Sequence, residues 1–325
     1  MRGAVLLFGR LAVLALLSGA MAGCGTADDS SSTGRSTTTG PSPADPDDPA
    51  ADGAPLAVDE FTEDLVDPTR PTDADADRPA RPDRTVRTRI VFPTGDGPYP
   101  LLVMSHGGTG HPDEYAEQIP QWAAAGFVVA APIFPLTNRD SAGGMSNIGD
   151  WVNQPGDVSF VIDEVLAAGD DPDSPLHGRV DPESIGVVGH SLGGATTYAV
   201  AFNTATRDDR IDSVVVFAGL TFDVPGGEFE FDSGLPLLVL HGDADDVPIE
   251  PDEAAWEQAA SPKWFVTLLG ADHRLAFTDE PSPWDDLVTR TILDFWHGTL
   301  GGDAAALDRV TDDPTDPELA TVRHE

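Results

Sequence analysis

The chain contains a single cysteine, Cys24, and a single lysine, Lys263, among its 325 residues. One cysteine cannot form an intramolecular disulfide, so the fold must depend on its hydrophobic core. Cationic side chains are few: 18 Lys and Arg face 56 Asp and Glu, which gives a net charge of −38. Such a surface repels phosphates, so we do not expect nucleic acid as a partner. The histidines lack zinc-ligand spacing, and we expect neither a metal nor another cofactor.

The acidity has two explanations that composition does not separate. Residues 85–300 alone carry 34 acidic residues against nine Arg and Lys, so the charge is not confined to the ends of the chain. Adaptation to a saline habitat would account for it, because salt screens the self-repulsion of an acidic surface. A GC-rich genome that favours Asp and Arg codons would also account for it.

Long hydrophobic runs are scarce as well. The apolar run at 11–17 follows two arginines and is too short to span a membrane, so residues 1–23 are predicted to be a secretory signal. Residues 21–24, Met-Ala-Gly-Cys, resemble the lipobox of bacterial lipoproteins, although Met21 stands where leucine is usual. This resemblance implies an exported protein held on the outer side of the cell membrane by a lipid on Cys24. An ordinary secretory signal with a chance cysteine is the alternative.

Large apolar residues are rare between the predicted signal and residue 85. Residues 24–84 are rich in Ser, Thr, Pro and Asp and cannot bury enough surface to offset the entropy of ordering. We therefore predict a disordered acidic tether there, although 56–66 could dock as a short arm. Residues 301–325 are predicted to be a loose acidic tail.

Residues 85–300 alternate strand-like and helix-like patterns, which predicts a mostly parallel α/β sheet with helices on both faces. No insertion is large enough for a cap domain, but residues 132–155 form a long predicted loop. Strands are predicted at 85–92, 101–104, 127–131, 185–188, 213–217, 237–240 and 264–269, and helices at 112–125, 157–168, 251–260, 284–297 and directly after Ser191.

The most informative stretch is 184–198, where an apolar run ends in Gly189-His-Ser191-Leu-Gly193 and small helix-compatible residues follow. This Gly-x-Ser-x-Gly pattern between a strand and a helix is typical of a nucleophile elbow, in which a strained turn exposes the serine hydroxyl. The helix N-terminus favours negative charge near that hydroxyl. The alternative is a glycine-rich connection with an idle serine.

A nucleophilic serine needs a base, and the base needs an orienting carboxylate. The strand at 237–240 is followed by three candidates, Asp243, Asp245 and Asp246. At this point the chain resembles the α/β-hydrolase superfamily, in particular its dienelactone-hydrolase-like and bacterial polyester-hydrolase (cutinase)-like serine esterases. The resemblance implies that Asp245 is the acid and that His273, in Gly-Ala-Asp-His, is the general base.

The same resemblance implies an oxyanion hole made by the backbone N–H groups of Leu192 and Gly108, the latter in the segment Ser-His-Gly-Gly-Thr-Gly at 105–110. Two features depart from the families. Polyester hydrolases often have an aromatic residue where Gly108 stands, and dienelactone hydrolases proper use cysteine in place of Ser191. The remaining histidines, including His106, His190 and His241, are expected to be explained by packing or backbone hydrogen bonds.

These patterns predict a monomeric serine hydrolase that cleaves short-chain carboxylic esters or polyesters through an acyl-enzyme. A peptidase resembling the prolyl-oligopeptidase catalytic domain and a non-catalytic binding lipoprotein are the alternatives. Apolar residues at or just after strand ends are predicted to line the substrate groove: Phe134, Trp151, Phe217, Leu220 and Val247.

Overall fold

The computed structural model describes residues 54–312 and 316–325. The predicted signal at 1–23 and the predicted lipidation site Cys24 lie outside these residues. Within the described part of the chain, no helix combines the length and the apolar character needed to cross a membrane.

A nine-stranded sheet forms the centre of the molecule, with strand order β1-β2-β4-β3-β5-β6-β7-β8-β9. The strands from β4 to β8 in this order run parallel, while β1, β2 and β9 are antiparallel to their neighbours. Their bounds are β1 Val58–Asp67, β2 Arg84–Pro93, β3 Tyr99–Ser105, β4 Val128–Ile133, β5 Val180–His190, β6 Ser213–Phe217, β7 Leu237–Gly242, β8 Lys263–Leu268 and β9 Ala320–His324.

Helices cover both faces of the sheet, and each face has its own hydrophobic core. Alternate strand residues supply the two cores: Val187 of β5 packs into one and Val188 into the other. Helices α2, α3 and α4 cover the first core, and α1, α5 and α6 cover the second. The predicted fold class is therefore confirmed. The helices are α1 Gln118–Ala124, α2 Gln154–Asp170, α3 Leu192–Phe202, α4 Glu250–Gln258, α5 Asp285–Thr299 and α6 Ala304–Asp312.

The segment before residue 85 corrects one prediction. A disordered tether reaching residue 84 is wrong for residues 54–84, because β1 pairs with β2 over ten residues and places Leu65 opposite Val86 in the core. Docking of 56–66 as an arm, the alternative from sequence, describes this strand better. Most of β1 is exposed, so its order comes from backbone pairing, which a composition argument does not detect.

The C-terminal segment corrects another prediction. The tail expected to be loose contains α6 and the edge strand β9, which pairs antiparallel with β8. Three apolar side chains of this acidic segment, Ala306, Val310 and Ala320, are buried. They are too widely spaced among acidic residues to stand out in the sequence, but they suffice to dock the segment on the second core.

Two further elements differ from expectation. The predicted helix at 112–125 is divided into a 3-10 helix, Pro112–Tyr115, and α1. Pro120 accounts for the division, because a proline cannot donate to the carbonyl four residues earlier and its ring clashes there. The long loop at 132–155 contains a ten-residue 3-10 helix, Gly144–Asn153, which runs directly into α2.

Candidate active site

The turn between β5 and α3 has the strained backbone of a nucleophile elbow. Ser191 has φ 58° and ψ −116°, in the left-handed half of conformational space that non-glycine residues rarely adopt. Both flanking glycines are required by close backbone approach. A Cβ on Gly189 would lie 2.1 Å from the Gly193 carbonyl oxygen, and one on Gly193 would lie 2.0 Å from the Ser105 carbonyl oxygen. The two glycines therefore allow this backbone to present the Ser191 hydroxyl beyond the end of the sheet.

The structure brings Ser191, His273 and Asp245 together. His273 Nε2 lies 2.8 Å from Ser191 Oγ, and His273 Nδ1 lies 2.8 Å from Asp245 Oδ2. Each residue follows the carboxyl end of a parallel strand, namely β5, β7 and β8, where open α/β sheets place their sites. The Asp245 side chain is only 1% exposed, whereas that of His273 is 20% exposed. A hydroxyl, an imidazole and a buried carboxylate in this order can transfer a proton away from the serine.

The competing aspartates have other positions. Asp243 accepts a hydrogen bond of 2.6 Å from the Gly270 N–H and so joins two turns, while Asp246 is exposed. Asp245 is fixed by a second bond, since its Oδ1 accepts the Val247 N–H at 2.6 Å. Of the three carboxylates, only that of Asp245 is hydrogen-bonded to His273.

The two N–H groups predicted for the oxyanion hole are free. Within residues 54–312 and 316–325, neither the Gly108 N–H nor the Leu192 N–H donates a hydrogen bond to any group of the protein. The N–H groups that follow Gly108 in its loop are hydrogen-bonded: Thr109 N–H donates to the Thr137 carbonyl at 2.7 Å, and Gly110 N–H donates to the Gly107 carbonyl at 3.0 Å. A loop fixed by its own hydrogen bonds, with the Gly108 N–H left to donate to a substrate, is the arrangement that a preorganised oxyanion hole requires.

His106 braces the loop that carries Gly108. Its Nδ1 lies 2.8 Å from the Gly107 carbonyl, and its Nε2 accepts the Phe134 N–H at 3.2 Å, so the ring is neutral with the proton on Nδ1. Burial lowers the pKa of His106 to about 4, in agreement with this tautomer. His106 thus joins the oxyanion loop to the end of β4, and backbone bonds explain it as predicted.

His190 connects the 3-10 helix that follows the oxyanion loop with the loop of the base. Its Nε2–H donates to the His273 carbonyl at 2.7 Å, and its Nδ1 accepts from the Tyr115 hydroxyl at 2.9 Å. Burial, followed by the neighbouring His273, lowers the pKa of His190 to about 3. A neutral, fully buried chain of hydrogen bonds therefore sets the position of the His273 backbone.

The prediction that Phe134 and Phe217 line the substrate groove is wrong. Phe134 and Phe217 are completely buried; Phe134 packs on His106, and Phe217 stacks on Phe277 with ring centroids 5.3 Å apart. Position at a strand end does not determine which side of the sheet a side chain faces, and both rings face the interior. The other three predicted residues, Trp151, Leu220 and Val247, are half-buried.

Sequence reasoning missed two apolar residues: Ile148, beside the oxyanion hole, and Phe222, which packs on Trp151. Ile148 lies so close that its Cδ1 would be 3.4 Å from a Cβ on Gly108. Trp151 follows one 3-10 turn later and therefore shares the face of Ile148, because residues three apart eclipse in this helix. The ring of Phe222 lies 5.2 Å from that of Trp151. The three-residue spacing of Ile148 and Trp151 is visible in the sequence, but it does not predict a shared face in a segment expected to be an irregular loop.

Comparison with known proteins covers part of this site. The family model described as Chlorophyllase matches residues 67–221, a little under half of the chain, and it includes the oxyanion loop and the elbow but ends before Asp245 and His273. No curated protein matches the chain. Chlorophyllases are a serine-esterase family of the α/β-hydrolase superfamily. The sheet and its helices have the α/β-hydrolase fold, and the match supports that superfamily and indicates a hydrolase that acts on esters.

The described residues also bear on metals. Between residues 54 and 312 and from 316 to 325, no group of three or more His, Cys, Asp or Glu side chains is arranged to hold a metal ion.

Proposed function

We propose that the chain is a carboxylic ester hydrolase in which Ser191 attacks the ester carbonyl and becomes transiently acylated. The hydrogen bonds of 2.8 Å that join Ser191, His273 and Asp245 carry this proposal. His273 takes the hydroxyl proton through Nε2 and returns it to the departing alkoxide. Asp245 holds Nδ1–H and stabilises the imidazolium that forms between these two steps.

Negative charge develops on the carbonyl oxygen at the tetrahedral stage, and the free N–H groups of Gly108 and Leu192 would receive it. Loss of one such donor typically costs about 3 kcal/mol of transition-state stabilisation. After the alcohol has left, water enters, gives a proton to His273 and attacks the acyl carbon. Collapse of the second tetrahedral species breaks the bond to Ser191 Oγ, which recovers its proton, and the acid is released.

The substrate is expected to bind along the apolar strip of Ile148, Trp151 and Phe222. Ile148 lies beside Gly108 and shares the 3-10 helix with Trp151, so an ester whose carbonyl oxygen reaches Gly108 would meet this strip with an adjoining apolar group. His273 is partly exposed, and we expect an open groove that accepts short acyl chains or the surface of a polyester. Likeness to dienelactone-hydrolase-like and cutinase-like esterases supports this substrate class.

Ser191→Ala tests the proposal on p-nitrophenyl esters of increasing acyl length, with a polyester film as a further substrate. We expect kcat to fall roughly 10⁴- to 10⁶-fold, because the nucleophile is removed while the fold is kept. Ser233→Ala, a change at an exposed serine far along the chain, is the matched control and should leave turnover unchanged. Activity that persists in Ser191→Ala would refute the assignment.

Two further measurements separate the alternatives. A peptide amide assayed beside the ester distinguishes a peptidase, which would cleave both. A fluorophosphonate probe distinguishes a non-catalytic binding protein, because only an activated serine reacts with it.

We further propose that the protein is exported and anchored in the outer face of the cell membrane by a lipid on Cys24, with 25–53 as the spacer. The apolar run, the small residues and the lone cysteine at the N-terminus support this location. Fractionation of expressing cells tests it, since an anchored chain sediments with membranes and a secreted one does not.

A further inference from the structure

A second imidazole–carboxylate pair lies behind the triad. His241, at the end of β7, and Asp252, on the first turn of α4, have completely buried side chains, and His241 Nδ1 lies 2.7 Å from Asp252 Oδ2. The other ring nitrogen points the opposite way: His241 Nε2 lies 3.2 Å from the Val247 carbonyl and 3.6 Å from Asp245 Oδ2. Asp245 Oδ2 is the same oxygen that accepts from His273. One carboxylate oxygen therefore lies near two imidazoles.

The surroundings of this pair determine its protonation. Both ring nitrogens of His241 face oxygen acceptors only, so a neutral ring would direct a lone pair at an oxygen. Asp252 receives three donors: the Tyr198 hydroxyl at 2.7 Å, the Gly219 N–H at 2.8 Å and His241 itself. Burial raises the pKa of Asp252, and these donors oppose that shift. A carboxylate can accept from all three of them. An imidazolium paired with a carboxylate satisfies every one of these contacts.

The pair also joins the parts that carry the triad. Tyr198 belongs to α3, the helix that follows the nucleophile, and Gly219 lies just beyond β6. Val247 closes a small ring of bonds, because its carbonyl faces His241 while its N–H donates to Asp245 Oδ1. Displacing His241 would release the turn that presents Asp245. The ionisable groups around His241 are Asp252 on α4, Asp245 after β7 and, at longer range, His190. His273 lies on the other side of the shared Asp245 oxygen.

We infer that His241 is a positioning residue of the ester hydrolase, held as an imidazolium by Asp252, which fixes the Asp245 carboxylate and places a positive charge beside the triad. This inference rests on the proposed function for its kinetic consequences. The imidazolium would attract the Asp245 carboxylate, 3.6 Å away, and would repel the positive charge that His273 carries during the reaction.

His241→Gln tests this by the pH dependence of kcat/KM on p-nitrophenyl acetate. We expect kcat to fall between about 10- and 100-fold through the misplaced carboxylate, with little change in KM. The acid limb of the profile should move to higher pH, because the removed cation no longer competes with the His273 imidazolium. A His241→Gln/Asp252→Asn double variant leaves no unpaired buried charge. Its acid limb should also move to higher pH, but by a smaller amount. The double variant can be measured even if the single variant folds poorly.

The matched control is His297→Gln, at a histidine on α5 whose ring hydrogen-bonds to the Ala125 carbonyl and stacks on Phe127, outside the site. It should keep the wild-type profile. An unshifted acid limb in both His241 variants would overturn the inference.

A spectroscopic readout is independent of activity. Side-chain ¹⁵N spectra at pH 7, assigned by difference from His241→Gln, should show protons on both ring nitrogens of His241. A neutral His241 would also overturn the inference. If wild-type protein hydrolyses no ester beyond the Ser191→Ala background, the proposed function fails instead, and the spectrum still decides the state of His241.

Discussion

At the scale of single residues, the site depends on side chains that are uncharged because they are buried. His106 and His190 each have one nitrogen that donates and one that accepts, and neither can take a second proton without losing an accepted hydrogen bond. One holds the oxyanion loop and the other holds the backbone of His273. Protonation of either would disturb the geometry on which the proposed chemistry depends.

The stability of the fold should therefore fall as the pH is lowered. The pKa values of His106 and His190, about 4 and about 3, lie below the ordinary value of 6.5, so below pH 6.5 the unfolded chain binds protons that the folded chain does not. Between pH 7 and pH 5 each histidine should cost about 2 kcal/mol of unfolding free energy. Urea unfolding at the two pH values measures this dependence.

A pair of variants isolates the effect of one histidine. His190→Asn should show a shallower loss with pH than the wild type, whereas His177→Asn, at an exposed histidine, should retain the wild-type slope. Equal slopes in all three proteins would contradict the assignment of a depressed pKa to His190.

At the scale of elements, the segment 67–84 braces the helix that carries Ile148 and Trp151. Arg84 is fully buried and binds Asp150, on the 3-10 helix, at 2.8 and 3.1 Å and Asp157, on α2, at 2.6 Å. Asp75 accepts hydrogen bonds from the backbone N–H groups of Ala142 and Gly143 and from the Asn147 side chain. A stretch expected to be a tether thus positions one side of the proposed substrate groove.

Arg84→Met should destabilise the protein strongly. Removing the guanidinium leaves Asp150 and Asp157 buried with less compensation, and breaking such a pair typically costs about 3–5 kcal/mol. The matched control is Arg87→Met on the same strand, whose partner Asp64 is solvent-exposed, so its loss should cost less than about 1 kcal/mol. Denaturant midpoints at pH 7 compare them, and a similar effect of both substitutions would disprove the role given to burial.

At the scale of the whole molecule, the net charge of −38 must oppose compaction. Exposed acidic residues also surround the site, among them Asp243, Asp246 and Asp272. The arginines of the folded part are mostly paired with carboxylates, as Arg207 and Arg210 are. Each arginine neutralises only its own partner, so a large net negative charge remains.

Salt should therefore stabilise the fold. Raising NaCl from about 0.01 M to 1 M shortens the screening length from about 30 Å to about 3 Å, which removes most of the long-range repulsion. We expect Tm to rise over this range, and equally in KCl, since screening depends on ionic strength. Thermal melts that do not change with salt would eliminate saline adaptation as the reason for the acidity and leave the codon explanation.

The sequence by itself determined the features that depend on local rules. The alternation of apolar strands and amphipathic helices predicted the parallel sheet, and the glycines at 189 and 193 predicted the turn at Ser191, because only glycine fits where backbones approach within about 3 Å. Family likeness, more than spacing, selected Asp245 and His273, which the fold then brought together at the ends of adjacent strands.

Only the tertiary structure decided what depends on distant partners. Pairing with β2 orders β1, and docking on a core built by other elements orders α6 and β9. The direction in which the side chains of Phe134 and Phe217 leave the sheet decides that both are buried. The pair of His241 and Asp252 and the burial of Arg84 belong to the same class. Their effect arises from low dielectric and exclusion of water, which are properties of the assembled molecule and not of any segment of the chain.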